Sequence, residues 1–195
     1  MPATIPVLIL PGLGNSGPDH WQSHWELRDS SIDRVLQDEW DAPSCSSWVA
    51  RLDEALAARS DEVVLAAHSS ACALVVHWAA MAPEEHLARV RGALLVAPSD
   101  PEGANYPEGP VGFGPMPSLA LPFASIVVAS SDDRYVTLPR AREYAAAWGS
   151  RLVVLENAGH INAASGFGGW PEGYAMLNSL RDRVHTRTHN IAHRS

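Results

Sequence analysis

Six short stretches of the chain are almost uninterruptedly apolar, and helical patterns lie between them. The strand candidates are residues 5–10, 34–37, 63–67, 92–97, 125–129 and 151–155. Most are continuous apolar runs rather than alternating ones, which is the pattern of strands covered on both faces. Between them, Trp48, Leu52 and Leu56 recur every four residues behind the cap candidates Ser46 and Ser47. Residues 71–80 are apolar almost all round, and 141–148 are alanine-rich and stop at Gly149. A last helix is predicted from Pro171 or Glu172 to about Val184. Alternation of this kind from end to end predicts an α/β fold, with one mostly parallel sheet of about six strands and helices on both faces.

One segment breaks the rhythm. Residues 98–123 hold seven of the fifteen prolines and four glycines, with neither a helical nor a strand period. Only two strand and two helix candidates follow it, too little for a second core. The segment therefore reads as a long ordered loop inside a single domain spanning 1–184, and loops of that length tend to be functional. Residues 185–195, with His185, His189 and His193 at spacing four, read as a frayed, flexible tail.

Composition narrows the chemistry. All fourteen basic residues are arginine, so the chain has no lysine. That excludes a lysine Schiff base, a Ser–Lys dyad and a P-loop nucleotide site, and leaves hydroxyl, imidazole, carboxylate, thiol or a metal. A net charge of −8 argues against nucleic acid as a partner. Cys45 and Cys72 are too few for a disulfide scaffold and are not spaced as metal ligands, and Cys72 falls in a predicted helix as a core residue. The apolar run at 7–10 is too short for a signal peptide or a membrane span, so a soluble cytoplasmic protein is expected. His20 and His24 share a helix face at i, i+4 but lack a carboxylate partner for a metal, and His77 and Trp78 read as packing residues.

Two motifs compete for the site. Gly12-Leu13-Gly14-Asn15-Ser16-Gly17 follows the first strand and matches G-x-G-x-x-G, with Asp38 placed as a ribose-binding acid would be. Against an NAD site, Pro18 directly after Gly17 suits the first turn of a helix, so the helix starts after the glycines instead of enclosing the last one. A glycine-rich turn at this place has a second use, which is to present backbone N–H groups to an oxyanion. The other motif is Ala67-His68-Ser69-Ser70-Ala71, between a strand and an apolar helix. It places Ser69 where a nucleophile elbow places its serine, with alanine where the usual G-x-S-x-G has glycine. Alone, Ser69 or Ser70 would serve equally as a helix cap. Two later strand ends tip the balance: one is followed by Asp132-Asp133 and the next by Gly159-His160, in the chain order Ser, Asp, His of an α/β-hydrolase.

Pro11-Gly12, Asp19-His20-Trp21-Gln22, the run Gln37-Asp38-Glu39-Trp40-Asp41-Ala42-Pro43, Trp48, His68-Ser69, Asp132-Asp133 and Gly159-His160 together resemble the small serine hydrolases related to retinoblastoma-binding protein 9 and bacterial YdeN. The similarity runs from about residue 7 to residue 173. It implies a compact α/β-hydrolase fold without a large lid domain, the 98–124 loop standing where larger relatives insert one. It also implies small ester or amide substrates, no cofactor, and a structural role for Asp38. Carried over, Ser69 is the nucleophile, His160 the base and Asp133 the acid, preferred to Asp132 because Val136 follows it at the usual distance. The backbone N–H groups of Leu13 and Ser70 are the expected oxyanion donors. The L-x-C-x-E motif tied to retinoblastoma-protein binding is absent, so that partner is not expected. The rival classes are a non-catalytic interaction protein on the same fold and, behind it, an NAD-binding oxidoreductase.

Overall fold

A computed structural model describes residues 4–192, with side chains as far as residue 182. In chain order the elements are β1 (Val7–Leu10), α1 (Trp21–Arg28), β2 (Ile32–Arg34), α2 (Cys45–Ala57), β3 (Val63–His68), α3 (Ser70–Met81), α4 (Glu84–Leu87), β4 (Val90–Val96), β5 (Ala124–Ser130), α5 (Leu138–Ala147), β6 (Arg151–Leu155) and α6 (Pro171–Ala192). The strands form one six-stranded sheet in the order β2-β1-β3-β4-β5-β6. Every pairing is parallel.

The continuous apolar runs are explained by the two-residue period of a strand, which sends alternate side chains to opposite faces. Leu8, Leu10, Val63, Leu65 and Ala67 pack with Trp48, Leu52 and Leu56 of α2, with α3, and with Ala141, Tyr144 and Ala145 of α5. Val7, Ile9, Val64 and Ala66 point the other way, onto Trp21 and Trp25 of α1 and Leu177 and Leu180 of α6. Helices thus cover both faces, and the α/β-hydrolase architecture expected from the sequence is present without a large additional domain.

Several boundaries differ from expectation, each for a local reason. β1 starts at Val7 because Pro6 has no N–H to give, although its carbonyl accepts from Val64. β2 lies at 32–34 instead of 34–37. It is an edge strand, so Asp33 is exposed, and the chain turns out to solvent after Val35. α1 begins at Trp21, with the His20 ring as its cap, so Pro18 sits in the preceding turn and not in the first turn of the helix. The cap of α2 is Ser44, whose hydroxyl accepts from Ser47 N–H, in place of Ser46 or Ser47. The short helix α4 buries no residue and therefore left no periodic signal. The expected tail over 185–195 lies outside the residues whose side chains are described.

The proline-rich segment carries no named helix or strand, yet it is pinned along its length. Phe113, Met116 and Leu121 are buried. His77 Nε2 donates to Phe113 O at 2.8 Å, and Trp148 Nε1 donates to Pro117 O at 3.1 Å. Among the described residues, no helix is long and apolar enough to cross a membrane.

Candidate active site

β1 and β3 are neighbours while β2 lies outside them, so the loops leaving β1 and β3 diverge and open a crevice at the carboxyl end of the sheet. Both motifs converge there. Ser69 joins β3 directly to α3 with φ 59° and ψ −126°, a conformation that side chains rarely adopt. Its N–H donates to Val96 O at 2.9 Å, and its side chain makes no cap bond. The capping alternative therefore does not account for it, and the alanines at 67 and 71 are accommodated fully buried.

Ser69 Oγ lies 2.9 Å from His160 Nε2, and His160 Nδ1 lies 2.8 Å and 3.0 Å from the two oxygens of Asp133. The Asp133 side chain has no exposure to solvent. Its Oδ1 also accepts from Tyr135 N–H at 2.9 Å, which fixes the carboxylate. Asp132 turns the other way. Its Oδ1 accepts from the Ser130 hydroxyl and from Gly159 N–H, both at 2.7 Å, so it ties the loop after β5 to the loop after β6. Those bonds hold its carboxyl below the usual carboxylate range.

His160 sits on a tightly folded loop, with Asn157, Gly159 and Ile161 all at positive φ. Two bonds anchor its backbone: Trp21 Nε1 donates to Ile161 O at 3.0 Å, and His68 Nε2 donates to His160 O at 2.9 Å. The Tyr135 ring stands edge-on to the imidazole, with centroids 4.6 Å apart.

The Gly12 turn meets Ser69 from the opposite side. A Cβ on Gly12 would lie 2.8 Å from Ser69 Cβ and 3.0 Å from His68 O, so only glycine permits this approach. Gly14 N–H is used by Trp40 O at 2.9 Å. Leu13 N–H and Ser70 N–H have no intramolecular acceptor among the described residues. Ser70 also opens α3, where the helix dipole favours negative charge. Gln22 carries the turn from below: its amide donates to Leu10 O and Ala66 O, and its carbonyl accepts from the Ser16 hydroxyl.

These contacts leave the dinucleotide reading without support. A Cβ on Gly17 would meet nothing within 4 Å, so the third glycine serves no helix packing. Asp38 is held by Arg51 in an exposed ion pair beyond β2.

The sequence assigns no catalytic role to Ser99, His20 or His68, and His20, weighed there with His24 as a metal pair on one helix face, instead caps α1 from outside the helix. Ser99 Oγ is 2.8 Å from Ser69 Oγ. His20 accepts from Gln22 N–H through Nδ1, its buried Nε2 has no partner among the described residues, and its ring meets that of His68 at 4.7 Å. Burial, with Arg34 and His160 nearby, pushes the His20 pKa down to about 4. His68, fully enclosed, is pushed well below the ordinary histidine value for the same reason. The resemblance motifs Asp19-His20-Trp21-Gln22 and His68-Ser69 carry the only signal for the two histidines, and no motif marks Ser99. Among the described residues no three metal-ligating side chains cluster. The crevice is a cavity of about 200 Å³ between the Gly12 turn, Ser69, His160 and Tyr135, with Pro107 of the proline-rich segment on its rim.

A family model described as serine hydrolase matches residues 7–179. The chain belongs to the serine hydrolase family. Among solved structures, this serine hydrolase is similar to a putative YdeN-like hydrolase from Pectobacterium atrosepticum, with 30% identity, a TM-score of 0.81 and coverage of 93% of this chain and 92% of that one. The ydeN gene product of B. subtilis shares the fold at 20% identity and a TM-score of 0.68, over 91% of this chain and 98% of that one. Thermogutta terrifontis esterase 2 shares it at 15% identity and a TM-score of 0.66, over 92% and 82%. No curated protein matches the chain.

Proposed function

We propose that this serine hydrolase cleaves small carboxylic esters or amides through a covalent acyl-enzyme, with Ser69 as nucleophile, His160 as general base and then acid, and Asp133 as the group that orients the imidazole. The observation that carries the reading is the continuous line from the Asp133 carboxylate through both nitrogens of His160 to Ser69 Oγ, with contacts of 2.8 Å and 2.9 Å. A carboxylate only accepts, so His160 carries its proton on Nδ1 and offers the Nε2 lone pair to the Ser69 hydroxyl.

As Oγ bonds to the acyl carbon, its proton passes to Nε2 and Asp133 stabilises the resulting imidazolium. The carbonyl oxygen takes up the negative charge between Leu13 N–H and Ser70 N–H, donors commonly worth about 3 kcal/mol each. His160 returns the proton to the leaving alcohol or amine. Water, deprotonated by the same nitrogen, then releases the acid and restores Ser69. The cavity of about 200 Å³ is smaller than pockets that enclose drug-sized ligands, which supports short acyl groups. A cytoplasmic setting is supported by Cys45 and Cys72, both buried as free thiols.

Nitrophenyl esters of two to twelve acyl carbons test this. Turnover should fall with chain length, a burst of nitrophenol should report acyl-enzyme, and Ser69→Ala should be inactive. Turnover unchanged in Ser69→Ala contradicts the assignment.

A further inference from the structure

Ser99 follows β4, the strand beside β3, and is 3% exposed. Its backbone is fixed on both sides, since Ala97 N–H donates to Val128 O at 2.8 Å and Asp100 N–H donates to Tyr135 O at 2.9 Å. Its hydroxyl therefore meets Ser69 Oγ from a rigid support. Ser69 Oγ makes two contacts at once, with Ser99 Oγ at 2.8 Å and with His160 Nε2 at 2.9 Å. Ser69 has one hydroxyl proton and cannot donate along both. When it donates to the lone pair of neutral His160, as attack requires, the proton between the two hydroxyls must come from Ser99. The opposite orientation, with Ser69 donating to Ser99, belongs to an imidazolium that already carries a proton on Nε2 and cannot act as base.

We propose that Ser99 is a further catalytic residue, whose hydroxyl donates to Ser69 Oγ, directs the Ser69 proton toward His160 and holds the negative charge that develops on Oγ as that proton leaves. The inference rests on the reading of Ser69 as nucleophile. Proton and bond changes are otherwise those of acyl transfer: the Ser69 proton moves to Nε2, the Oγ–carbon bond forms, and Ser99 keeps its own proton throughout. In deacylation the same donor faces Oγ as the carbon–oxygen bond breaks and the electron pair returns to Ser69. A hydrogen bond to an oxygen gaining charge is roughly twice as strong as one between neutral groups. The Ser99 contact thus favours the transition state over the ground state and acts on rate rather than on binding.

The test is the saturation kinetics of covalent inactivation by a fluorophosphonate, followed by intact mass for wild type, Ser69→Ala, Ser99→Ala, Ser99→Gly and Ser99→Thr, each checked by thermal unfolding. Removing the hydroxyl should lower the maximal inactivation rate by about 10- to 100-fold while leaving the half-saturating probe concentration unchanged. Threonine, which keeps the hydroxyl, should restore most of the rate. The proposal is overturned if Ser99→Ala or Ser99→Gly reacts at the wild-type rate while Ser69→Ala stays unlabelled. It is equally overturned if Ser99→Thr is as slow as Ser99→Ala. An unlabelled wild-type enzyme instead refutes the nucleophile assignment itself, and the role of Ser99 falls with it.

Discussion

Gly12→Ala probes the point where the glycine turn and the serine turn touch. The added Cβ would stand 2.8 Å from Ser69 Cβ, 3.0 Å from His68 O and 3.4 Å from Ser69 Oγ. Ordinary carbon–carbon contacts lie at about 3.5–4.0 Å, so the two turns must separate by about 0.7–1.2 Å. Neither neighbour is the far end of a flexible side chain, and Ser69 is already at a strained φ of 59°. Overpacking of this kind costs about 1–3 kcal/mol, which for a chain of this size lowers Tm by about 2–12 °C. Misplacing a reacting group by about 1 Å costs on the order of 100-fold in rate. The expected outcome is therefore a kcat/KM on a short ester reduced by about 100-fold, with Tm lowered by several degrees. Gly17→Ala serves as the control, because its Cβ enters open space, and it should match wild type in both. A Gly12→Ala enzyme within twofold of wild-type activity and with an unchanged Tm would refute the packing argument and the placement of the Gly12 turn against Ser69.

Other expectations follow from the same contacts. Asp133→Asn should lower kcat by about 10⁴-fold, because an amide favours the wrong imidazole tautomer. Asp132→Asn should reduce it far less and show itself mainly in Tm, through the weakened bonds to Gly159 and Ser130. Gln22→Ala leaves the buried Ser16 hydroxyl without its acceptor and removes the amide bonds to Leu10 O and Ala66 O. At about 1–3 kcal/mol for an unsatisfied buried group, it should lower Tm by at least a few degrees. The His20 pKa is about 4 in the folded chain against an ordinary 6.5, so between these values the unfolded state binds more protons. Stability should hold above about pH 6.5 and fall as pH drops toward 4, by about 3 kcal/mol from this residue. Urea titrations at pH 7, 5.5 and 4.5 should show a shallower decline in His20→Asn than in wild type, and identical slopes would refute the assignment.

The sheet was legible because burial on both faces writes itself as unbroken apolar runs. The four interior strands match their expected limits to within two residues, and β6, half-buried at the sheet edge, matches through its unbroken apolar run 152–155. Legibility failed where the apolar run itself is missing: edge strand β2 reads Ile-Asp-Arg with Asp33 exposed, and α4 reads Glu-Glu-His-Leu and buries nothing. Ser69, Asp133 and His160 could be nominated because each follows a strand, and strand ends are what sequence patterns mark. The choice between Asp132 and Asp133 depends on which carboxylate Ser130 and Gly159 engage, a matter of turn geometry with no periodic signature. Ser99, His20 and His68 were silent for a related reason. Their relations are side-chain contacts between segments far apart along the chain, and no spacing along it encodes them. The glycine motif alone left two readings open because two different backbone demands, close approach to a neighbouring turn and approach to a pyrophosphate, both select glycine after the first strand.

The central claim is that Ser69 is a nucleophile activated by His160. Its most direct test is the intact mass of wild-type and Ser69→Ala protein after exposure to a fluorophosphonate at neutral pH, with the adduct located by peptide mapping. The account predicts a single adduct on the wild-type chain at Ser69 and none on Ser69→Ala. A wild-type chain that stays unmodified, or a Ser69→Ala chain modified to the same extent, would contradict it.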